Sequence, residues 1–161
     1  MKLSAKAPQQ TLAFKLPCIC AAILCCVSCH GPRAYLSGGD AEWLSYQRTM
    51  CFGPCPAFTL TVAPDGSATY TGKANVERIG TYTADWSQEQ MHEIASIAAA
   101  MRLDRKAGVY DNPLITDLPA TRIALGPHEV MDRFNGPDLS GLYAALDSLI
   151  DLTPWTPESK Q

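Results

Sequence analysis

The 161 residues contain almost none of the signatures by which enzymes and nucleic-acid binders are recognised. No G-x-S-x-G, H-E-x-x-H, phosphate-binding loop or G-x-G-x-x-G occurs, so the commonest nucleophile, zinc-protease, nucleotide and dinucleotide sites have no basis here. Basic side chains number 13 against 16 acidic ones, a formal charge of -3, and they form no stripe able to neutralise phosphates. Nucleic acid is therefore a poor partner. Histidine is scarce: His30, His92 and His128 are too scattered to complete the four ligands of a structural zinc site, and no metal or cofactor is expected. No apolar run reaches the roughly 20 residues that a membrane-crossing helix needs, and there is no internal repeat. A hydrophobic share of 47% with 18% charged residues argues against disorder and against a fibrous chain.

Cysteine looks plentiful, with seven residues, but five of them (Cys18, Cys20, Cys25, Cys26 and Cys29) fall in or at the end of the first segment. Only Cys51 and Cys55 remain for a folded domain. That first segment has Lys2, Lys6 and Lys15 without an acid, then an uncharged apolar run from Leu16 to Ser28, which is the layout of a signal peptide over residues 1–28. Cys26-Val27-Ser28-Cys29 resembles a bacterial lipobox, making Cys29 the expected site of lipidation and the lipid the expected contact with the membrane. The third residue before the cut is Cys where Leu is usual, so plain secretion to the periplasm or medium is the alternative. His30 after the cysteine points to the periplasmic face of the outer membrane. Residues 29–41, with Pro32, Ser37, Gly38 and Gly39, read as a flexible tether.

Residues 42–153 carry the periodic patterns of one small α+β domain, and residues 154–161 read as a polar tail. Leu44 and Tyr46 alternate with Ser45 and Gln47; Phe58, Leu60 and Val62 alternate with Thr59 and Thr61; Ala68 to Gly72 and Thr81 to Trp86 repeat the pattern. Asp65-Gly66 predicts a hairpin between the second and third strands. Ser87 and Gln90 form a capping box ahead of the apolar stripe Met91, Ile94, Ala95, Ala98 and Met101. Gly126-Pro127-His128-Glu129 predicts a second hairpin, and Pro137-Asp138 opens a helix bearing Leu139, Leu142, Tyr143, Leu146, Leu149 and Ile150. The predicted order is ββββ-α-ββ-α: an antiparallel sheet with two helices packed on one face. Between Ala107 and Ala120 Gly108, Asn112, Pro113 and Pro119 deny regular structure, and so long a loop in a small domain is expected to be either functional or disordered.

The run Arg48-Thr49-Met50-Cys51-Phe52-Gly53-Pro54-Cys55-Pro56, with Phe58, Leu60, Asp65-Gly66, Tyr70 and Gly72 and the later Thr116-Asp117-Leu118-Pro119, resembles a bacterial family catalogued as domain of unknown function 6438. The resemblance spans Leu44 to Leu152. It implies membership and a secreted or lipoprotein setting, and it assigns no residue a role.

The residues themselves nominate few sites. Gly53 and Pro54 between Cys51 and Cys55 let the loop bend back, and in an oxidising envelope the two sulfurs should form a disulfide. A redox-active pair is the competing reading, weakened by CxxxC spacing and by the absence of a βαβ context. Arg48 could receive an anionic ligand, but pairing with Asp117 to fasten the long loop to the first strand is the simpler expectation. Asp117, beside Thr116 and Pro119, is expected to bond backbone N–H groups. Asp111, Asn112 and Asp117 lack the spacing of a calcium loop. Trp43, Trp86 and Trp155 are expected to pack in the core or at its rim. The function that follows is a non-catalytic envelope module with an envelope protein as partner. A thiol-dependent redox enzyme using Cys51 and Cys55 is the alternative.

Overall fold

Alternation decides the first half of the chain. In the computed structural model, which describes residues 33–36 and 42–159, four strands follow one another: β1 (Leu44–Arg48), β2 (Ala57–Val62), β3 (Ser67–Ala74) and β4 (Gly80–Asp85). Each pairs antiparallel with the next. Leu44, Tyr46, Phe58, Leu60, Val62, Ala68 and Tyr70 are buried, while the intervening serine, glutamine and threonines stay partly exposed. Successive side chains in a strand point to opposite faces, so the apolar set lies on one side of the sheet. The β2–β3 turn uses the expected Asp65-Gly66: Gly66 has φ +96°, and a Cβ there would run into the Trp86 carbonyl.

The capping box at Ser87 is present, with Gln90 N–H donating to the Ser87 hydroxyl at 3.2 Å and Ser87 N–H donating to Gln90 Oε1 at 2.8 Å. It starts α2 (Gln88–Ala100), which buries Met91, Ile94, Ala95 and Ala98 as predicted. After a short turn, α3 (Leu103–Lys106), come β5 (Gly108–Tyr110), β6 (Thr121–Leu125) and β7 (His128–Asp132). The helix α4 (Ser140–Leu152) then buries Leu142, Leu146 and Ile150. Leu139 occupies its N-cap position, and Asp138 just before it accepts from Ser140 N–H through Oδ1 at 3.0 Å. All these buried residues join one core cluster between the sheet and the helices.

Among the described residues the sheet has eight strands in the order β5-β7-β6-β1-β2-β3-β4-β8, the last being Thr156–Pro157, so β1 is central and not an edge. Every pairing is antiparallel except β5 with β7. Three differences from the predicted order stand out. The long loop begins later than expected, because β5 extends the sheet beyond β7 and leaves residues 111–120 as the loop. The expected polar tail supplies β8 (Thr156–Pro157), which pairs with β4, and Trp155 packs beside Tyr70 with ring centroids 5.6 Å apart. Part of the expected tether forms a helical turn, α1 (Arg33–Leu36), whose Tyr35 is 1% exposed. Its carbonyl accepts from the Trp43 indole at 2.6 Å, and its hydroxyl donates to Asp104 at 3.1 Å. These segments are too short for periodicity, and long-range contacts hold them. The expected signal segment, Cys29 and His30 lie outside the described residues. No helix among the described residues is long and apolar enough to cross a membrane.

Candidate functional site

The β1–β2 connection carries the cysteine loop at one end of the sheet. Cys51 and Cys55 form a disulfide, with Cα atoms 5.7 Å apart. Two other segments grip the same loop. Asn75, at the start of the β3–β4 turn, donates its side-chain N–H to Cys55 O at 3.1 Å and to Gly53 O at 3.4 Å. Asp117, in the long loop, accepts from Phe52 N–H at 3.1 Å. Thr49 adds a two-way tie to that loop: its N–H donates to Ala120 O at 3.0 Å, and its hydroxyl accepts from Ala120 N–H at 2.7 Å. The outcome is a kink held from three directions, with Phe52 95% exposed and Met50, two residues before it, also exposed.

Asp117 thus bonds a backbone N–H, as its loop setting suggests, though one 65 residues away. It does not meet Arg48. The Arg48 side chain shares the helix-covered face with Leu44 and Tyr46, being four and two residues on from them, and there it meets α4. Its Nη2 lies 2.6 Å from Asp147 Oδ2 and its Nε donates to the Tyr46 hydroxyl at 2.8 Å; that hydroxyl in turn donates to Asp147 Oδ1 at 3.1 Å. The guanidinium also stands 5.6 Å from the Tyr46 ring centre and 5.8 Å from that of Phe58. Burial, then Asp147, pushes the Tyr46 phenol far above its ordinary value. Asp147 was not visible as a site residue in the sequence: it borders the apolar stripe of α4, and only the helix's placement over β1 gives it meaning.

Two cavities flank Arg48 and Pro56. One, of about 160 Å³, opens beside Cys55, Pro119 and Thr121. The other, of about 210 Å³, lies between the sheet and α4 and reaches Tyr70, Arg78 and Asp151. Thr116 is exposed and forms no hydrogen bond with a described residue. Asp111 and Asn112 serve the loop itself, Asp111 facing Arg133 at 3.6 Å and Asn112 accepting from Leu114 N–H at 3.1 Å. Among the described residues no three His, Cys, Asp or Glu side chains gather as a metal site.

A family model, described as a domain of unknown function (DUF6438), matches residues 42–150. The chain belongs to this family. The matched span runs from just before β1 to within α4, so the DUF6438 domain here contains the cysteine loop, Arg48, Asp117 and Asp147 together. No curated protein matches the chain.

Proposed function

We propose that this DUF6438 domain is a non-catalytic interaction module of the bacterial cell envelope. In this reading it is tethered through a lipid on Cys29 after removal of residues 1–28, and it uses the cysteine loop to dock an envelope protein that offers an apolar pocket. One observation carries the docking surface: an almost fully exposed phenylalanine on a loop fixed by a disulfide, by Asn75 and by Asp117. Exposed aromatic side chains have no reason to be held rigidly for stability, whereas a pre-ordered aromatic anchor lowers the entropic cost of binding. The leader pattern and the disulfide, which persists in oxidising compartments, support the envelope setting.

The test is crosslinking and pulldown from envelope extract with the native domain and with Phe52→Ala. A partner recovered by the native domain and reduced about tenfold or more with Phe52→Ala supports the surface, since an aromatic anchor contributes upwards of about 2 kcal/mol. Equal recovery by both forms overturns it. Thiol titration separates the redox reading: a disulfide that stays oxidised at about -300 mV is structural, and one reduced well above that potential belongs to a catalyst.

A further inference from the structure

The larger of the two cavities contains donors that the fold leaves unused. Tyr70 is 3% exposed and lines it, yet its hydroxyl forms no hydrogen bond with any described residue. The ring is buried but the hydroxyl is not enclosed, so it stands open to the cavity as a donor available to a ligand. Burial pushes the Tyr70 phenol up from its ordinary value; Arg78 pulls it down, and Asp151 and Asp147 push it further up. Arg78, Asp147 and Asp151 all line the same cavity as the hydroxyl.

The two arginines point the same way. Arg78 is only 26% exposed and has Glu77 at 3.7 Å as its nearest acid, too long for a hydrogen bond. Arg48 spends Nε and Nη2 on Tyr46 and Asp147, leaving Nη1 without a bond to any described residue. The opposite wall is acidic, since Asp151 follows Asp147 by one helical turn on α4 and makes no hydrogen bond there. Phe58 and Tyr70 provide an aromatic floor between the two walls. Gly72 makes the enclosure possible: a Cβ on it would collide with the Arg78 carbonyl, so only glycine lets the β3–β4 turn fold back and carry Arg78 to the cavity.

We propose that this cavity binds a small zwitterion of the amino-acid class, its carboxylate taken by Arg78, Arg48 Nη1 and the Tyr70 hydroxyl and its ammonium by Asp151. A simple anion would face Asp147 and Asp151, and a simple cation would face two guanidinium groups; a molecule carrying an ammonium and a carboxylate on the same carbon offers each charged wall its complement. The volume of about 210 Å³ lies below the usual range for drug-sized ligands and suits one residue-sized molecule.

Titration of the ¹⁵N-labelled domain with free amino acids, from glycine to leucine, followed by amide shifts, tests this. The expected result is a saturable shift at Tyr70, Arg78 and Asp151 with at least one of them. N-acetylation or amidation of that ligand should weaken binding about tenfold or more, as loss of a charge-assisted contact does. Tyr70→Phe and Arg78→Lys should weaken it similarly while thermal melting shows the fold intact, and Asp151→Asn should weaken the free amino acid but not its N-acetyl form. Phe52→Ala, at the docking loop, should leave affinity unchanged, so failure here and failure of the docking reading are read separately. The absence of saturable shifts at concentrations roughly tenfold above a millimolar Kd, or equal binding of blocked and free forms, overturns the proposal.

Discussion

Tyr143 shows how little a polar atom gains from merely being buried. Its ring stacks on Tyr46 at a centroid distance of 5.9 Å and an interplanar angle of 14°, which is the service it gives the core. Its hydroxyl is enclosed and has no hydrogen-bond partner among the described residues. Burial, and then Asp132, push the phenol up to about 12. Tyr143→Phe keeps the stack and removes the unmatched hydroxyl, so it should stabilise the domain by about 1 kcal/mol in urea denaturation. The sign with pH follows from the same shift. Because the folded chain holds the Tyr143 proton more tightly than the unfolded chain does, its contribution is intact below about 10 and is lost as pH rises towards about 12. The native domain should therefore weaken across that window, and Tyr143→Phe should lose part of the slope; parallel curves would contradict this. None of it was legible beforehand, since the sequence placed Tyr143 on an apolar stripe without saying which ring it would cover. Arg48 was recognisable as a residue needing a partner, but that partner depends on where α4 lies across β1.

The elements divide by how they are encoded. β2, β3, α2 and α4 carry their own periodicity, caps and turn residues, and the sequence was sufficient to find them. β5, β8 and α1 have two to four residues each and exist because a neighbour accepts them. Alternation also reveals an uncovered face: Ser45, Thr61, Thr69, Thr83 and Thr156 stand in one cross-strand row, a β-branched surface suited to a sheet open to water. The cysteine loop belongs to a third kind, where local covalent closure and distant hydrogen bonds act together. Closing a loop this short contributes about 2 kcal/mol in the chain-entropy account. Replacing both cysteines by serine should cost about that much, with Asn75 and Asp117 keeping the loop near its place. Hydrogen exchange checks the division of labour: protection should fall at Phe52 and Gly53 and remain unchanged in β2 and β3. Exchange rising through the whole sheet would mean that the disulfide supports the fold and not just the loop.

At the scale of the molecule, the domain is larger than its periodic part. The family match opens at residue 42, where the strand pattern starts, yet Tyr35 fills the core from outside that span. Removing it deprives the Trp43 indole of its acceptor and uncovers apolar surface near α2 and β7, where the Tyr35 ring lies 5.2 Å from that of His128. A chain starting at residue 42 should therefore be less stable than one starting at residue 30 by about 2–4 kcal/mol, the range for losing a large buried side chain together with a buried hydrogen bond. Urea denaturation of the two unlipidated chains measures the difference directly, and the shorter one should also show a smaller m, having less surface to expose. This bears on anchoring as well as on stability. If Tyr35 is part of the core, the chain between Cys29 and the domain is only a few residues long, which would hold the domain close to a membrane that carried the lipid. Superimposable denaturation curves would return Tyr35 to the tether and lengthen that reach.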